Sequence, residues 1–191
     1  MHTIIKSNAI RKVIQLRNFI GKNDRVLDFG CGDLSLSKEL HVRMPGLHIR
    51  GVDIVDFGIR DTHIAFQQYD GKTLPYRAGA FDTVIVYHVL HHTNNPANLL
   101  LECLRVSRKT VLLVEPVYRW QFEIFGMTCM DWLFNVWKEK SIAMTFAFRS
   151  RKQWEYTIRN AGWNIDQAID VEILPKWFPS GRSYLFVCTK N

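Results

Sequence analysis

Short apolar runs and segments of helical periodicity alternate along the chain, and that alternation limits the fold more than any other feature. Arg25–Phe29 reads as a strand that runs into a glycine turn and then a helix over Ser35–Val42. Leu47–Asp53, Ala65–Tyr69 and Phe81–Tyr87 read as three more strands, the last of them fully buried. A helix over Asn95–Val106 follows, with Asn95 at its start and Pro96 in the first turn, where a missing N–H costs nothing. Thr110–Val114 is a fifth strand. Helices are expected over residues 4–20, Trp120–Lys138 and Arg151–Asn160, and strands over Asn164–Ile173 and Ser183–Thr189. Strands joined through helices favour a parallel sheet covered on both faces. The last two strands have no helix between them and should form an antiparallel hairpin. The expectation is a doubly wound, mostly parallel, seven-stranded α/β sheet ending in that hairpin. At 191 residues the chain suits one domain, because domains typically run ~100–200 residues. Within it, residues 1–24 form an N-terminal helical segment and 118–150 a helical insert.

Beyond the first strand, the segment Val26-Leu-Asp-Phe-Gly-Cys-Gly-Asp33 carries the chemistry. In open α/β sheets ligands bind past the carboxyl ends of the strands. Gly30 and Gly32 permit a sharp turn and a close approach of backbone to ligand. Asp53, at the end of the second strand, can accept hydrogen bonds from both hydroxyls of a ribose. Up to this point a dinucleotide would also fit, since Gly30-x-Gly32-x-x-Ser35 nearly matches the dinucleotide fingerprint. Asp28 argues against it. A pyrophosphate would meet a carboxylate there, and two anions a few ångströms apart cost about 1 kcal/mol in water and several more at reduced dielectric. A ligand with a cationic amino group gains from the same carboxylate. S-adenosyl-L-methionine offers that group, a sulfonium and a ribose diol. A purely structural role also stands open for Asp28, as a cap on the backbone amides of the turn.

The sequence here resembles the class I S-adenosylmethionine-dependent methyltransferases, in particular the small-molecule group called methyltransferase type 11. VLDFGCGDL at 26–34, GVDIV at 51–55, the stretch YDGKTLPYRAGAFDTVIVYHVLHHTNNP at 69–96 and LECLRVSRKTVLLVEPV at 101–117 follow that family's blocks in order and spacing. The resemblance implies a Rossmann-like methyltransferase sheet and a methyl transfer to a small organic acceptor. It implies that Asp28, Gly30, Cys31 and Gly32 wrap the methionine end of the cofactor and that Asp53 holds the ribose. It places Ile54 on the adenine, Asp70 and Gly71 beside the adenine amino group, and Tyr87 and His88 near the transferred methyl. Two departures stand out. Leu34 replaces the usual third glycine, which implies a less close approach of helix and cofactor. Ser107-Arg108-Lys109 replaces a Pro-Gly-Gly turn away from the site.

A general base is needed only if the acceptor must lose a proton. His88 and His91 are the candidates for that role or for positioning the acceptor, with His92 beside them; a helical turn that merely packs or caps is the other reading of His91 and His92. A metal bound through this trio is not expected, because no carboxylate or cysteine completes it at a familiar spacing. Glu115, ending the fifth strand, could contact substrate or satisfy a helix N-terminus. The Asn/Asp-Pro-Pro-aromatic motif of relatives that methylate base or amide nitrogens is missing after the fourth strand, as is the cysteine that pyrimidine C5 transfer requires.

All six tryptophans fall at or after residue 120. Segment 120–137 is dense in aromatic and Met residues, which suits core packing, a lid over an apolar or aromatic acceptor, or a face in a membrane interface. Glu123 and Asp131 exclude burial in lipid all round. No run reaches the ~18 apolar residues of a membrane span. Four scattered cysteines without a CxxC pair and the lack of a leader-like N-terminus point to a reducing, cytoplasmic setting. The net charge of +7 is concentrated at the N-terminus, where residues 1–50 carry nine Lys/Arg against four acids. Lys6, Arg11, Lys12 and Arg17 share one expected helix, read as a solvated face. Nucleic acid is therefore not the expected partner, although an RNA-modifying enzyme and a non-catalytic domain that binds cofactor or a partner protein remain the rival readings. Oligomeric state is not legible.

Overall fold

A computed structural model describes residues 2–135, 145–171 and 182–190. The chain divides into two compact units, one of residues 1–86 and 102–112, the other of 87–101 and 113–191.

The first unit holds α1 (His2–Leu16), β1 (Arg25–Phe29), α2 (Ser35–Arg43), β2 (His48–Asp53), β3 (Ala65–Gln68) and nearly all of β4 (Phe81–Tyr87). It also takes the end of α3 (Pro96–Val106) and the start of β5 (Ser107–Tyr118). Its strands run in the order β3-β2-β1-β4-β5. β1 pairs in parallel with β2 and β4, and β2 with β3. Central parallel strands are covered on both faces, so they need apolar side chains on both. Val26, Leu27 and Phe29 of β1 and Val84, Ile85 and Val86 of β4 are accordingly buried. Val13 and Leu16 of α1 and Leu36 and Leu40 of α2 add to the core.

The start of this sheet is fastened by charge. α3 passes into β5 with no loop, and Ser107-Arg108-Lys109 opens the strand itself. Arg108 bonds Asp82, and the Lys109 ammonium stands 3.4 Å from Asp82 and 3.7 Å from Asp24. Asp82 also accepts from the Arg25 backbone at 3.0 Å, while Asp24 accepts from the Thr83 hydroxyl at 2.7 Å. Burial alone would raise the Asp82 pKa, but hydrogen bonds from Arg25, Arg108 and Lys109 hold it well below the usual carboxylate range.

The second unit holds the rest of β5, α4 (Glu123–Asn135), β6 (Arg149–Ser150), α5 (Arg151–Asn160), β7 (Trp163–Val171) and β8 (Arg182–Lys190). Its strand order is β5-β8-β7, with the two-residue β6 parallel to β5. β7 and β8 are antiparallel, with a register shift between Ile165 and Gln167. A capping box starts α5: Ser150 Oγ accepts from the Gln153 N–H, and Gln153 Oε1 accepts from the Ser150 N–H. That helix buries Trp154 and Ile158.

The expected mostly parallel sheet with a C-terminal hairpin is what forms, and β6 is an addition to it. β5 is longer at both ends than its apolar run, because its polar first turn pairs by charge and its end pairs with β6. On α4, Met127 is buried, whereas Phe122 just before the helix and Phe125, Trp132 and Leu133 on it are exposed. Trp137 and Lys138 of the expected helix, Ile173 of the expected strand, and Trp177 lie outside the described residues. Among the described residues no helix is long and apolar enough to cross a membrane.

Gly51 of β2 lies where the turn after β1 packs. A Cβ added there would stand 2.7 Å from both Cys31 Sγ and Leu34 Cδ2. Gly51→Ala should therefore destabilise the protein by about 1–3 kcal/mol through overpacking, read from the midpoint of urea unfolding.

Candidate functional site

Asp28 is a carboxylate in the middle of a sheet. It faces Gly51 of β2 and Ile85 of β4 in the parallel register and is 3 % exposed. A buried charge needs a partner, and α2 supplies one: Ser37 Oγ donates to Asp28 Oδ2 at 2.6 Å. Burial raises the Asp28 pKa to about 6, against the lowering effects of the Ser37 hydrogen bond and the Lys12 charge and with a further upward push from Asp53 and Asp33. The bond seen at Asp28 comes from the Ser37 hydroxyl, not from the turn amides of the alternative capping role. Lys12, expected on the solvated basic face, is half-buried and directs its charge at Asp28.

The turn is held by the end of β2. Gly30 and Cys31 both donate to the Val52 carbonyl, at 2.8 and 3.2 Å. Gly32 donates to Asp53 Oδ2 at 2.9 Å, and Val55 donates to Asp53 Oδ1 at 3.1 Å. Each carboxylate oxygen can accept more than one hydrogen bond, so Asp53 keeps capacity for a diol. Gly32 has φ +51 and open space where a Cβ would be, so a ligand can approach its backbone. Leu34 adopts φ 61, ψ 15, the left-handed conformation that glycine takes without strain. The Cys31 thiol is buried; burial first, then the Asp28 and Asp53 charges, push its pKa above the ordinary thiol range and keep it neutral.

Past Asp53 the chain brings two more expected residues together. Ile54 is 45 % exposed, and a Cβ on Gly71 would stand 3.3 Å from Ile54 Cγ2. Asp70 is exposed, and its carboxylate accepts from the Lys72 and Thr73 N–H groups at 2.8 and 3.0 Å, which lowers its pKa.

The remaining candidates belong to the second unit. Tyr87 ends β4, its ring 5.0 Å from that of His88. His88 has φ 55, donates its N–H to the Val114 carbonyl at 2.8 Å, and holds Nε2 3.1 Å from Ser183 Oγ. Glu115 is fully buried. Its Oε1 accepts from the Val89 and Leu90 N–H groups at 2.8 and 2.7 Å, and Oε2 lies 2.7 Å from His91 Nδ1. Burial favours the neutral acid, but the charges and hydrogen bonds of His91, His88 and Leu90 outweigh it and hold the Glu115 pKa low. Of the two roles open to Glu115, satisfying a helix start is the one seen, at the short turn Leu90–His92. His91 is 3 % exposed and stacks on Phe148 at 5.2 Å. Among the described residues no group of three or more His, Cys, Asp or Glu could hold a metal ion.

Ser37, Ser183 and Phe148 were not singled out from the sequence. Ser37 had a signal: it stands between Leu36 and Leu40 on the inner face of α2, where a hydroxyl must find a partner. Ser183 and Phe148 had none, because their contacts span long stretches of chain.

Comparison with known proteins bears on the fold. Residues 27–114 match the family described as "Methyltransferase domain". The chain is 23% identical over 164 residues to a ubiquinone biosynthesis O-methyltransferase of Maricaulis maris, covering 79% of this chain and 63% of that protein. The chain thus spans under two thirds of that relative's length, and smaller shares of two others, 40% and 38%. A putative methyltransferase from Bacillus halodurans shares the fold with TM-score 0.72 at 16% identity, covering 95% of this chain and 98% of that one. So does a magnesium protoporphyrin IX methyltransferase of Synechocystis, solved with bound SAH, with TM-score 0.64 at 16% identity, covering 100% and 84%.

Removing the buried acid of the second unit tests its role. Glu115→Ala leaves two N–H groups and His91 unmatched and should cost about 3–5 kcal/mol by urea unfolding. Because the Glu115 pKa is depressed on folding, its contribution is present above the unfolded value of ~4.3 and lost as pH falls through the folded one. Wild-type stability should therefore drop more steeply with acid below that value than the stability of Glu115→Ala.

Proposed function

We propose that the chain is a class I S-adenosylmethionine-dependent methyltransferase that transfers a methyl group from S-adenosylmethionine to a small organic acceptor, a reading supported by the family match over residues 27–114 and by the shared fold. The observation that carries this reading is the pair of carboxylates at the glycine turn. Asp28 lies buried beneath it and Asp53 clasps it. The pair suits a cationic nucleoside and opposes a pyrophosphate.

The residues fit this cofactor. Asp28 answers the ammonium of the methionine end, and the backbone of Gly30, Cys31 and Gly32 lies along it. Asp53 takes the ribose hydroxyls. Ile54 with Gly71 offers a small apolar surface for the purine, and Asp70 borders it. When bound, the cofactor supplies an electrophilic methyl on sulfur. The protein's share is to align the acceptor and keep water out.

We assign Tyr87 and His88 to the acceptor end of the reaction. Ser183 fixes the His88 ring through Nε2, so an acceptor hydroxyl or amine that must lose its proton meets an oriented imidazole. His91, committed to Glu115 and Phe148, acts by holding the turn that follows His88. The relatives named for ubiquinone biosynthesis and for magnesium protoporphyrin IX favour an apolar, ring-bearing acceptor. The exposed Phe122, Phe125, Trp132 and Leu133 are suited to one, and residues 118–150 are assigned to that task within a single functional domain.

Calorimetric titration with S-adenosylmethionine, followed by a labelled-methyl assay on a metabolite extract, tests the reading. Binding and a labelled small molecule are expected; binding with no labelled product favours a non-catalytic domain, and labelled RNA favours the RNA-modifying rival. Asp53→Ala should weaken cofactor binding by about 1.5–3 kcal/mol, and unchanged affinity counts against the ribose contact. His88→Ala should lower turnover by about 10²–10⁴-fold if the acceptor is deprotonated, with cofactor affinity nearly unchanged.

A further inference from the structure

Ser37 occupies one of the two oxygens of Asp28, and the pair is almost wholly sealed: Asp28 is 3 % exposed and Ser37 is 0 %. Its helix neighbours Leu36 and Leu40 are buried apolar residues. A hydroxyl in their midst gains from burial only if it is bonded, and its bond goes to the carboxylate. Every element around Asp28 has a definite charge. α1 brings Lys12, α2 brings the neutral donor Ser37, the turn brings Asp33, and β2 brings Asp53. The facing residue on β4, Ile85, is apolar. Two acids thus oppose one lysine and one hydroxyl.

Building on the cofactor reading above, we propose that Ser37 is a positioning residue of the cofactor site: its hydroxyl takes Asp28 Oδ2, leaves Oδ1 as the oxygen for the cofactor's ammonium, and keeps the buried carboxylate charged. The cofactor grip then depends on pH. Protonated Asp28 gives no attraction to the ammonium, so affinity falls as pH drops through the region where Asp28 titrates, about 6. Without the Ser37 donor, which favours the charged form, that fall begins at higher pH.

The test is calorimetric titration of the whole chain with S-adenosylhomocysteine, which has the same ammonium and carboxylate, between pH 5.5 and 8.5. Ser37→Ala should show its midpoint about one pH unit higher, and so bind about 5–8-fold more weakly at pH 5.5–6, about 2-fold more weakly near pH 7, and like wild type at the alkaline end. Asp28→Asn should bind weakly with a flat profile through the same range. Should Ser37→Ala fail to fold, Ser37→Cys keeps the volume with a weak donor and should show the same upward displacement. A Ser37 variant that keeps the wild-type profile, or loses affinity by one constant factor at every pH, overturns the proposal. If wild type itself ignores S-adenosylhomocysteine, the cofactor reading fails first, and that is visible before any variant is made.

Discussion

One carbonyl oxygen anchors the turn on which the proposed cofactor-binding residues of the first unit depend. Val52 accepts from both Gly30 and Cys31, and the next residue, Asp53, takes Gly32 and Val55. The end of β2 is therefore the template for the turn after β1, and the register of the two strands over Arg25–Phe29 and His48–Val52 fixes where that template falls. Leu34 shows how firmly the turn is imposed. A leucine in left-handed backbone costs about 1–2 kcal/mol, yet it is held there with its side chain 1 % exposed, and burying a leucine contributes about 1.5–3 kcal/mol. The two effects are comparable, so the position can do without a glycine.

The sequence made the sheet legible because its strands are short, apolar and separated by helices. β1 and β4 have the bounds that their apolar runs suggest, and Gly30, Gly32 and Asp53 meet as their spacing implies. The ends of elements were less legible where something other than hydrophobicity sets them. β5 begins on Ser107, Arg108 and Lys109, three polar residues whose reason for being in a strand is the pair of acids, Asp24 and Asp82, on distant segments. Partners of that kind leave no periodicity to read. The same holds for Ser183 beside His88, which is separated from it by most of the second unit's sequence.

The histidine run shows a different limit. Three histidines in five positions look alike in a sequence, but their surroundings sort them. His91 is committed by its ring contact with Phe148 and its bond to Glu115. His88 sits in left-handed backbone at a strand end with a hydroxyl on its ring. Glu115 spends its charge inward, on a helix start and an imidazole, and a carboxylate used in that way orders the loop around it instead of reaching outward.

Within the first unit, the two ends of the strands are held by different forces. Where Arg25, Arg108 and Lys109 meet Asp24 and Asp82, the bonds join full charges whose cationic members are about half exposed, at 41%, 55% and 56%. At the glycine turn the donors are amides and a hydroxyl. Ions in solution screen exposed charges over about 8 Å at physiological strength and leave hydrogen bonds from neutral donors nearly untouched. Rising ionic strength therefore loosens the end remote from the glycines first, and the glycine-turn end is the part of the sheet that a change of salt reaches last.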